Sequence, residues 1–343
     1  MEKGWKWLLR PPLPLLESRA AGVTGLSMIN PDNRIVTVFG GGGFIGRYVC
    51  EMLFAEGVRV RAATKNPRSA HSIQPLGRVG KWGIVRADVS DRASVDAALE
   101  ASWAVINLCG AIKGRFDAVN ARGACNVAEA AWESRAKSLV HVSAIGSDPN
   151  SGAAYARSKG EGELAVRAAF PNATIIRPSI VFGPEDDLTN RLAGLSKLPV
   201  LPVVAAKRRF QPVYVKDLAR AIAMAALDPQ THGGTTYEIG GPDVMTMEEL
   251  FASAARAAGR EPELVELPNF ASSLLAWFGF LPGAPLTREQ WKMLQSDNLP
   301  SEKAKGLSAF GIRPTALEAV APEWLARFRQ GGRFAARPAN QPV

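Results

Sequence analysis

Short apolar runs alternate with helix-like patterns along the chain from residue 35 onward. Such alternation is typical of βαβ units, in which helices join parallel strands. The pattern predicts an α/β fold with a Rossmann-type doubly wound parallel sheet and a smaller C-terminal lobe. The predicted strands lie near residues 35–39, 58–63, 83–87, 103–108, 138–143 and 173–177, and the predicted helices near 44–56, 92–100, 116–134 and 155–169.

The regular alternation fades after Pro184. A stretch with spaced prolines over 198–204 precedes a predicted helix near 216–227, a strand near 236–239 and a helix near 246–258. We expect these elements to form a smaller substrate or interaction lobe that returns to the edge of the sheet. The predicted division is an N-terminal extension over 1–34, a Rossmann domain over 35–200, the smaller lobe over 201–330 and a disordered tail over 331–343.

A run of glycines separates the first predicted strand from the first predicted helix. Residues 35–46 read Ile-Val-Thr-Val-Phe-Gly-Gly-Gly-Gly-Phe-Ile-Gly, and either Gly40 or Gly41 fits a dinucleotide-binding spacing with Gly43 and Gly46. Glycine permits a tight turn and a close approach to phosphate, while a helix N-terminus offers free amides and a partial positive charge. A glycine turn also arises for plain geometric reasons, but here a strand precedes it and a helix follows. We therefore predict that the turn cradles a dinucleotide.

The end of the second predicted strand carries basic residues and no carboxylate. NAD-preferring folds place an acid there, which binds the hydroxyls of the adenine ribose. This chain instead offers Arg59, Arg61, Lys65 and Arg68, and Arg47 follows the glycine turn. A basic pocket stabilises a 2′-phosphate by charge-assisted hydrogen bonds. Because strand alternation can turn Arg59 and Arg61 to solvent, we expect Lys65, Arg68 and Arg47 as ligands, and NADP(H) in preference to NAD(H).

Tyr155 and Lys159 lie four residues apart, on one face of the predicted helix after the fifth strand. A nearby ammonium favours phenolate and is expected to lower the tyrosine pKa, which suits a group that moves a proton while nicotinamide moves a hydride. The lysine can also hold the nicotinamide ribose. Alone, such a pair is more often two surface residues, but its position downstream of the glycine turn favours a functional role. We predict Tyr155 and Lys159 as catalytic residues, with Ser143 as a third candidate.

These motifs resemble the short-chain dehydrogenase/reductase superfamily, in its extended or atypical branch, over about residues 35–240. The likeness also covers Asp88, Asn120 and the segments 177–184 and 212–217. It implies that Asp88 contacts adenine and that Asn120 is the family's helix asparagine, although the residues alone would allow a helix cap and a helix kink. The expected cofactor-binding residues are Gly40, Gly43, Phe44, Ile45, Gly46, Arg47, Lys65, Arg68, Asp88, Val89, Cys109, Gly110, Asn120, Tyr155, Lys159 and Pro178.

The resemblance breaks at the active-site hydroxyl. The family's serine or threonine usually lies one or two residues into the turn after the fifth strand, where it polarises the substrate carbonyl. Those positions hold Ala144 and Ile145, whereas Ser143 comes at the strand end and Ser147 suits a turn or cap. An intact cofactor site beside an apolar substrate side indicates a bound-nucleotide protein with reduced or lost turnover.

Within the superfamily the chain resembles the NADPH-binding accessory subunits of respiratory complex I, NADH:ubiquinone oxidoreductase, and their bacterial relatives. This resemblance implies a tightly held NADPH with a structural role outside the electron path, and complex I subunits as partners. It also implies a place on the cytoplasmic face of a bacterial inner membrane or the matrix side of a mitochondrial one, the cytoplasm being the alternative. The motifs that carry the likeness lie at 141–146, 155–163, 170–186, 237–242 and 286–298.

Composition narrows the possible partners, metal sites and membrane-spanning segments. The 41 basic and 32 acidic residues of the 343-residue chain give a formal charge of +9, which suits an anionic membrane, an acidic protein or nucleic acid. The basic residues are spread out without a nucleic-acid motif, so no nucleic acid is expected. The cysteines and histidines are isolated, which predicts reduced thiols and no metal site. The longest apolar stretch, over 271–281, falls short of the roughly 20 residues that span a bilayer.

Two segments leave alternatives open. Arg10 and a proline pair interrupt the apolar run of the first 34 residues, so we do not favour a targeting peptide there. Residues 270–281 carry seven large apolar side chains and are expected as a core helix of the small lobe. The alternative is a docking surface for a partner or peripheral membrane contact, helped by Arg327, Arg329 and Arg333.

Two interpretations of function stay open from the sequence. The first is an NADP(H)-holding accessory or assembly subunit of complex I. The second is a working NADP-dependent reductase, epimerase or dehydratase on a small carbonyl compound, such as an isoprenoid or quinone-related one, with Tyr155 as its acid and base. The apolar positions after the fifth strand favour the first, and the presence of both Tyr155 and Lys159 favours the second.

Overall fold

The computed structural model describes residues 34–268 and 288–332. The predictions made for the N-terminal extension, for the apolar segment 270–281 and for nearly all of the C-terminal tail lie outside these described residues.

The secondary structure follows the predicted alternation. The strands are β1 (Ile35–Phe39), β2 (Arg59–Thr64), β3 (Trp82–Arg86), β4 (Ala104–Asn107), β5 (Ser138–Val142), β6 (Thr174–Pro178), β7 (Val181–Phe182), β8 (Val200–Val203), β9 (Arg209–Phe210), β10 (Val213–Tyr214), β11 (Thr236–Ile239), β12 (Met245–Thr246) and β13 (Glu263–Glu266). The α-helices are α1 (Phe44–Ala55), α2 (Arg92–Ala98), α3 (Arg122–Glu133), α4 (Ala154–Ala169), α5 (Asp187–Leu195), α6 (Val215–Leu227), α7 (Pro229–His232), α8 (Met247–Ala257), α9 (Arg288–Met293), α10 (Leu317–Val320) and α11 (Pro322–Leu325).

Seven parallel strands form the central sheet in the order β11-β6-β5-β4-β1-β2-β3. The chain moves outward from β1 to β3, then returns to the other side of β1 with β4. In a doubly wound sheet, ligands bind in the crevice at this reversal, outside the carboxyl ends of the strands. The predicted Rossmann-type fold is therefore confirmed, and its topology places the binding crevice beside β1 and β4.

Helices cover both faces of the sheet, so alternate residues of the inner strands enter two separate cores. Val38 packs in the cluster that contains Val49 of α1 and Leu218 of α6. Phe39, the next residue, packs in the cluster with Val95 of α2 and Val127 of α3. Burial on both faces explains why these strands read as continuous apolar runs rather than as alternating patterns.

Residues of the predicted smaller lobe contribute to the main layers. Helix α6 packs against α1 and against the face of β4, β5 and β6. Strand β11 pairs in parallel with β6 and so becomes the edge strand of the sheet. The remainder includes three two-stranded sheets, β7 with β10, β8 with β13 and β9 with β12. No helix among the described residues combines the length and apolarity needed to cross a membrane.

Two local features differ from the prediction. A 3-10 helix at Pro67–Leu76 follows β2, where the sequence gives no regular pattern. It contains Pro75, which lacks an amide proton. Because proline is unfavourable inside a helix, the sequence does not predict a helix across this position. The third predicted helix begins with a π-helical turn at Asp117–Ala121, and only from Arg122 is it α-helical.

A buried ion-pair network fastens the edge of the sheet to α4. The Arg177 guanidinium donates to Glu163 Oε1 at 2.9 Å and Oε2 at 2.6 Å, and to Glu238 Oε1 at 3.1 Å. Glu238 Oε2 also accepts the main-chain amide of Ser301 at 2.7 Å. Glu163 is only 6% exposed, and the arginine is the charged partner of its buried carboxylate.

Replacing Arg177 by methionine should lower the free energy of unfolding at pH 7 by about 3 kcal/mol, because the buried Glu163 carboxylate loses its partner. Urea denaturation measures the change, and the double variant Arg177→Met/Glu163→Gln should recover most of it.

The same network makes stability depend on pH through Glu238. Burial raises the pKa of Glu238, but the hydrogen bonds from Ser301 and the Arg177 charge lower it by more, so that this pKa lies below its ordinary value. The contribution of the Glu238 carboxylate to the free energy of unfolding is therefore present above about pH 4.3 and is lost as the pH falls through the lowered pKa. Equal urea midpoints for wild type and Arg177→Met would contradict this prediction.

Candidate functional site

The glycine turn brings α1 into direct contact with the backbone of β1 and β2. A Cβ atom on Gly46 would lie 2.2 Å from the carbonyl oxygen of Gly40, and one on Gly41 would lie 2.9 Å from the Cβ of Ala62. Gly40 itself has a φ of 81°, in the left-handed region that favours glycine. The sequence Gly40 to Gly46 is thus required for close packing as well as for any ligand.

The first turn of α1 faces the crevice without a side-chain cap. Helix α1 begins after Gly43, a residue without a side chain to cap the N-terminus, and no acidic residue lies in its first turn. A Cβ on Gly43 would meet only the Gly40 oxygen, at 3.2 Å. Unused amides, a positive helix end and open space above Gly43 fit a pyrophosphate group. Phe44 and Ile45 supply the main chain of this turn.

Two of the predicted phosphate ligands lie at or just beyond the carboxyl end of β2. Lys65 Nζ is 3.0 Å from Asp88 Oδ2, and the lysine side chain is half exposed. Arg68 is exposed on the following 3-10 helix, whose first turn is capped by Asn66. Arg61 points elsewhere, since it donates to the carbonyl oxygens of Ala98 and Glu100 at 2.8 and 2.6 Å.

Arg47 has a partner in a different part of the site. Its guanidinium lies 2.9 Å from Glu185 Oε1, and the Tyr48 hydroxyl donates to Glu185 Oε2 at 2.7 Å. Glu185 belongs to the loop after β7, rather than to the end of β2. A role for Arg47 at a 2′-phosphate stays a prediction, and it would require this ion pair to open.

Asp88 lies in a tight turn after β3. Its Oδ1 accepts the Ser90 amide at 2.9 Å and the Ser90 hydroxyl at 2.7 Å. Burial raises the pKa of Asp88, but these hydrogen bonds and the Lys65 charge outweigh it and leave the pKa below its ordinary value. The Val89 side chain is buried, and a Cβ on Gly123 would lie 2.7 Å from it. An adenine could therefore meet Asp88, whereas the Val89 side chain is occupied by packing on α3.

Asn120 holds the loop that follows β4. Its Oδ1 accepts the Ala111 amide at 2.8 Å, and its Nδ2 donates to the Ala111 oxygen at 3.0 Å and to Ser158 Oγ at 3.0 Å. It is fully buried within the π-helical turn, a feature often found at functional sites. Asn120 therefore lies at a helix irregularity and also links the β4 loop to α4.

The β4 loop and α4 meet at Lys159. Its Nζ donates to the Val142 oxygen at 3.1 Å, and a Cβ on Gly110 would lie 3.2 Å from the same Nζ. Burial lowers the pKa of Lys159 to about 8. Gly110 thus leaves room for the ammonium, which lies at the carboxyl end of β5.

A buried pair next to Lys159 was not anticipated from the sequence. Asn107 Oδ1 accepts the Cys109 amide at 3.1 Å, and Asn107 Nδ2 lies 3.3 Å from His141 Nδ1. Burial, together with the Lys159 charge, lowers the pKa of His141 to about 3, so the ring is neutral. The signal in the sequence was a polar residue, Asn107, that ends an otherwise apolar strand.

The environment of Tyr155 differs from the expectation. Burial raises its pKa to about 12, and the edge of the Phe116 ring packs against it with centroids 6.3 Å apart. The predicted lowering of its pKa by Lys159 is therefore wrong for this structure, because desolvation dominates and the ammonium is held by Val142. Tyr155 is a neutral phenol here.

The hydroxyls after β5 are engaged with each other. Ser143 is 4% exposed, its Oγ lies 2.9 Å from Ser147 Oγ, and Ser147 Oγ donates to the Ala144 oxygen at 2.7 Å. Ile145 is buried, and its amide donates to the oxygen of Pro178 at 3.1 Å. The two hydroxyls of the turn are therefore engaged within the turn, which closes onto the end of β6.

Comparison with known proteins gives this geometry a context. The model of the NAD dependent epimerase/dehydratase family matches residues 36–240. The chain is 32% identical over 319 residues to the mitochondrial NADH dehydrogenase (ubiquinone) 1 alpha subcomplex subunit 9 of Arabidopsis thaliana, covering 87% of this chain and 79% of that protein. It is also 32% identical over 240 residues to a ceramide reductase of Caulobacter vibrioides, covering 68% and 74%.

A solved structure supports the fold. The NADPH-dependent quinone oxidoreductase of Escherichia coli superposes with a TM-score of 0.68 at 20% identity, over 84% of this chain and 99% of that chain. At this identity the likeness shows the fold alone. Together with the family and sequence matches, it confirms both resemblances predicted from the motifs.

Tyr155 should remain protonated at about pH 10, where an ordinary tyrosine is half ionised, because its raised pKa disfavours the phenolate. A near-ultraviolet absorbance titration of nucleotide-free protein, with Tyr155→Phe subtracted, isolates this residue from the other three tyrosines. The difference signal should rise only toward pH 12. A phenolate signal with a midpoint near pH 8 would instead support the activated tyrosine that the spacing predicts.

Proposed function

The chain belongs to the NAD dependent epimerase/dehydratase family, and from this premise we propose that it holds NADP(H) as an accessory subunit of respiratory complex I. One observation carries the proposal. The start of α1 carries no side-chain cap where the dinucleotide is expected, whereas the Ser143 and Ser147 hydroxyls after β5 are already engaged within the chain.

The cofactor side offers a complementary group for each part of NADP(H). The amides after Gly43 fit the pyrophosphate, and Lys65 with Arg68 fit the 2′-phosphate. Lys159 lies beside Gly110, and its assignment to the nicotinamide ribose is part of the proposal. When bound, the dinucleotide supplies a hydride. The residues of this chain supply binding and orientation, and a neutral Tyr155 has its proton in place.

The substrate side lacks the hydroxyl that polarises a carbonyl. Ala144 and Ile145 occupy the expected positions, and the Ser143 hydroxyl contacts Ser147. A buried donor that already has a partner gives no net stabilisation to a substrate oxygen unless that bond is broken. A carbonyl substrate would therefore find little polar help, which favours a bound cofactor that stays in place.

The relatives support a proposal for the partner. The Arabidopsis relative is named as a subunit of NADH dehydrogenase, and the match extends over most of both chains. We propose the same partnership here, with the protein peripheral to the membrane on the cytoplasmic face of a bacterial inner membrane or the matrix side of a mitochondrial one. The net charge of +9 suits an acidic partner surface or anionic lipid.

A working reductase is the second candidate, and a specific observation favours it. Tyr155 and Lys159 both lie on α4 at the carboxyl end of the sheet, and one relative is named as a ceramide reductase. The alternative is an NADP-dependent reductase, epimerase or dehydratase that acts on a carbonyl compound, with Tyr155 as proton donor.

The two candidates separate in the native membrane. Purification of the tagged chain should bring complex I subunits with it, and denaturation of the complex should release NADP(H) rather than NAD(H). The Tyr155→Phe variant should retain the same partners and nucleotide, since it keeps the ring and removes only the hydroxyl. Carbonyl-dependent NADPH oxidation by the free wild-type protein, lost in Tyr155→Phe, would contradict the accessory role and support the reductase.

Removing the charge at the end of β2 should weaken NADPH binding selectively. Lys65→Ala or Arg68→Ala should raise the Kd for NADPH about tenfold or more, through the loss of a charge-assisted contact, and leave the Kd for NADH nearly unchanged. Isothermal titration of both nucleotides measures the two effects. Arg59→Ala is the matched control, because it removes the same charge at the opposite end of the strand, about 20 Å away. Equal NADPH and NADH affinities in the wild type would refute the NADP(H) preference.

A further inference from the structure

Residues 288–298, here called the crossing segment, run over the carboxyl ends of β5 and β6. The segment begins with α9 at the start of α4 and ends at Asn298 beside β6 and β9. Between these points it contacts the loop from Ile145 to Ala154, which in the sequence joins β5 to the helix of Tyr155. Ligands of doubly wound sheets bind on this side.

Asn298 bridges the ends of β5 and β6 with its side chain. The Ser179 hydroxyl donates to Asn298 Oδ1 at 2.7 Å and to its main-chain oxygen at 3.1 Å. The Asn298 Nδ2 donates to the Ile145 oxygen at 3.3 Å. One amide thus takes up polar groups that follow both strand ends.

Glu289 caps the helix that carries Tyr155. Helix α4 starts after Ala153, which has no side chain able to accept a hydrogen bond. Glu289 Oε2 accepts the amide of Ala154 at 2.8 Å instead, and Lys292 Nζ donates to Glu289 Oε1 at 3.1 Å and to the Gly152 oxygen at 3.3 Å. A carboxylate at a helix N-terminus is stabilising, so this contact holds the crossing segment against α4.

The far end of the segment is fastened to β9. Asp297 forms hydrogen bonds with the side chain and amide of Arg209 at 2.8 and 3.0 Å, and the Asn298 amide donates to the Arg209 oxygen at 2.8 Å. The segment is therefore fixed at both ends as well as over the strand ends between them.

We infer that the crossing segment is a built-in wall on the substrate side of the dinucleotide site, and that Asn298 is the residue that positions it. The inference rests on the proposed cofactor site. The crossing segment then limits access to the nicotinamide, because Asn298 already supplies hydrogen-bond partners to the Ile145 oxygen and the Ser179 hydroxyl. A purely structural tie would use the same contacts, but its loss would change stability without changing access.

The first test measures access to bound NADPH in the full-length protein. Acrylamide quenching of NADPH fluorescence should be weak in the wild type, and its quenching constant should rise about twofold or more in Asn298→Ala because the ring then meets solvent. Gln295→Ala is the matched control, since the side-chain amide of Gln295 donates to the Trp291 oxygen, within the same segment. An Asn298→Ala variant that still binds NADPH but has the quenching constant of the wild type would contradict the inference that the crossing segment is a wall. A wild type that binds no NADPH would overturn the proposed function instead.

The second test needs no nucleotide. Hydrogen exchange over residues 144–154 should accelerate about fivefold in Asn298→Ala and in Glu289→Ala, which is the factor expected from the loss of one hydrogen bond of ordinary strength. Gln295→Ala should match the wild type, and exchange in β1 should be unchanged in all three variants. Unchanged exchange over 144–154 in Asn298→Ala would show that the segment does not hold this loop, and would overturn the inference even if NADPH binding fails.

Discussion

The close packing of α1 on the glycine turn is the contact on which the rest of the structure depends. With 2.2 Å between the Gly40 oxygen and a Cβ built on Gly46, any larger residue would push the helix away from β1. That position directs the uncapped start of α1 toward the crevice, and it brings Val49 into the core cluster that contains Val38 and Leu218 of α6. The same backbone contact therefore fixes one layer of the core and the site that an anion would occupy.

The main sheet was largely readable from the sequence, because its information is local. Strands buried on both faces give apolar runs, and each helix between them has its own periodicity, so the predicted bounds of β1 to β6 agree with the structure to within two residues. The 3-10 helix at Pro67–Leu76 and the two-residue strands were missed, since they are too short or irregular to carry a period. The edge position of β11 depends on its pairing with β6, in which Glu238 lies opposite Arg177, 61 residues earlier in the chain. Such a long-range pairing leaves no local pattern in the sequence.

The candidate site likewise combines local motifs, which the sequence shows, with long-range contacts, which it does not show. The glycine turn and the Tyr155 and Lys159 pair are local motifs, and the structure places both after the carboxyl ends of their strands, β1 and β5. The partners that decide their chemistry are distant in sequence: Glu185 for Arg47, and the burial around Tyr155 that reverses the expected direction of its pKa. Spacing reports which residues share a helix face, but it does not report desolvation, and desolvation controls the proton on Tyr155.

The presence of Lys159 is compatible with a protein that does not turn over. Its ammonium satisfies the Val142 oxygen at the end of β5, and it lies beside the backbone of Gly110, in the loop that Asn120 holds. A smaller side chain would leave that carbonyl and the surrounding space unfilled, at a penalty similar to other buried polar deletions. A nucleotide that binds only the folded state adds stability that grows with the logarithm of its concentration above Kd, whether or not a hydride ever leaves it. Selection for a tightly held cofactor would thus keep Lys159, and would leave Ala144 and Ile145 without pressure toward a catalytic hydroxyl.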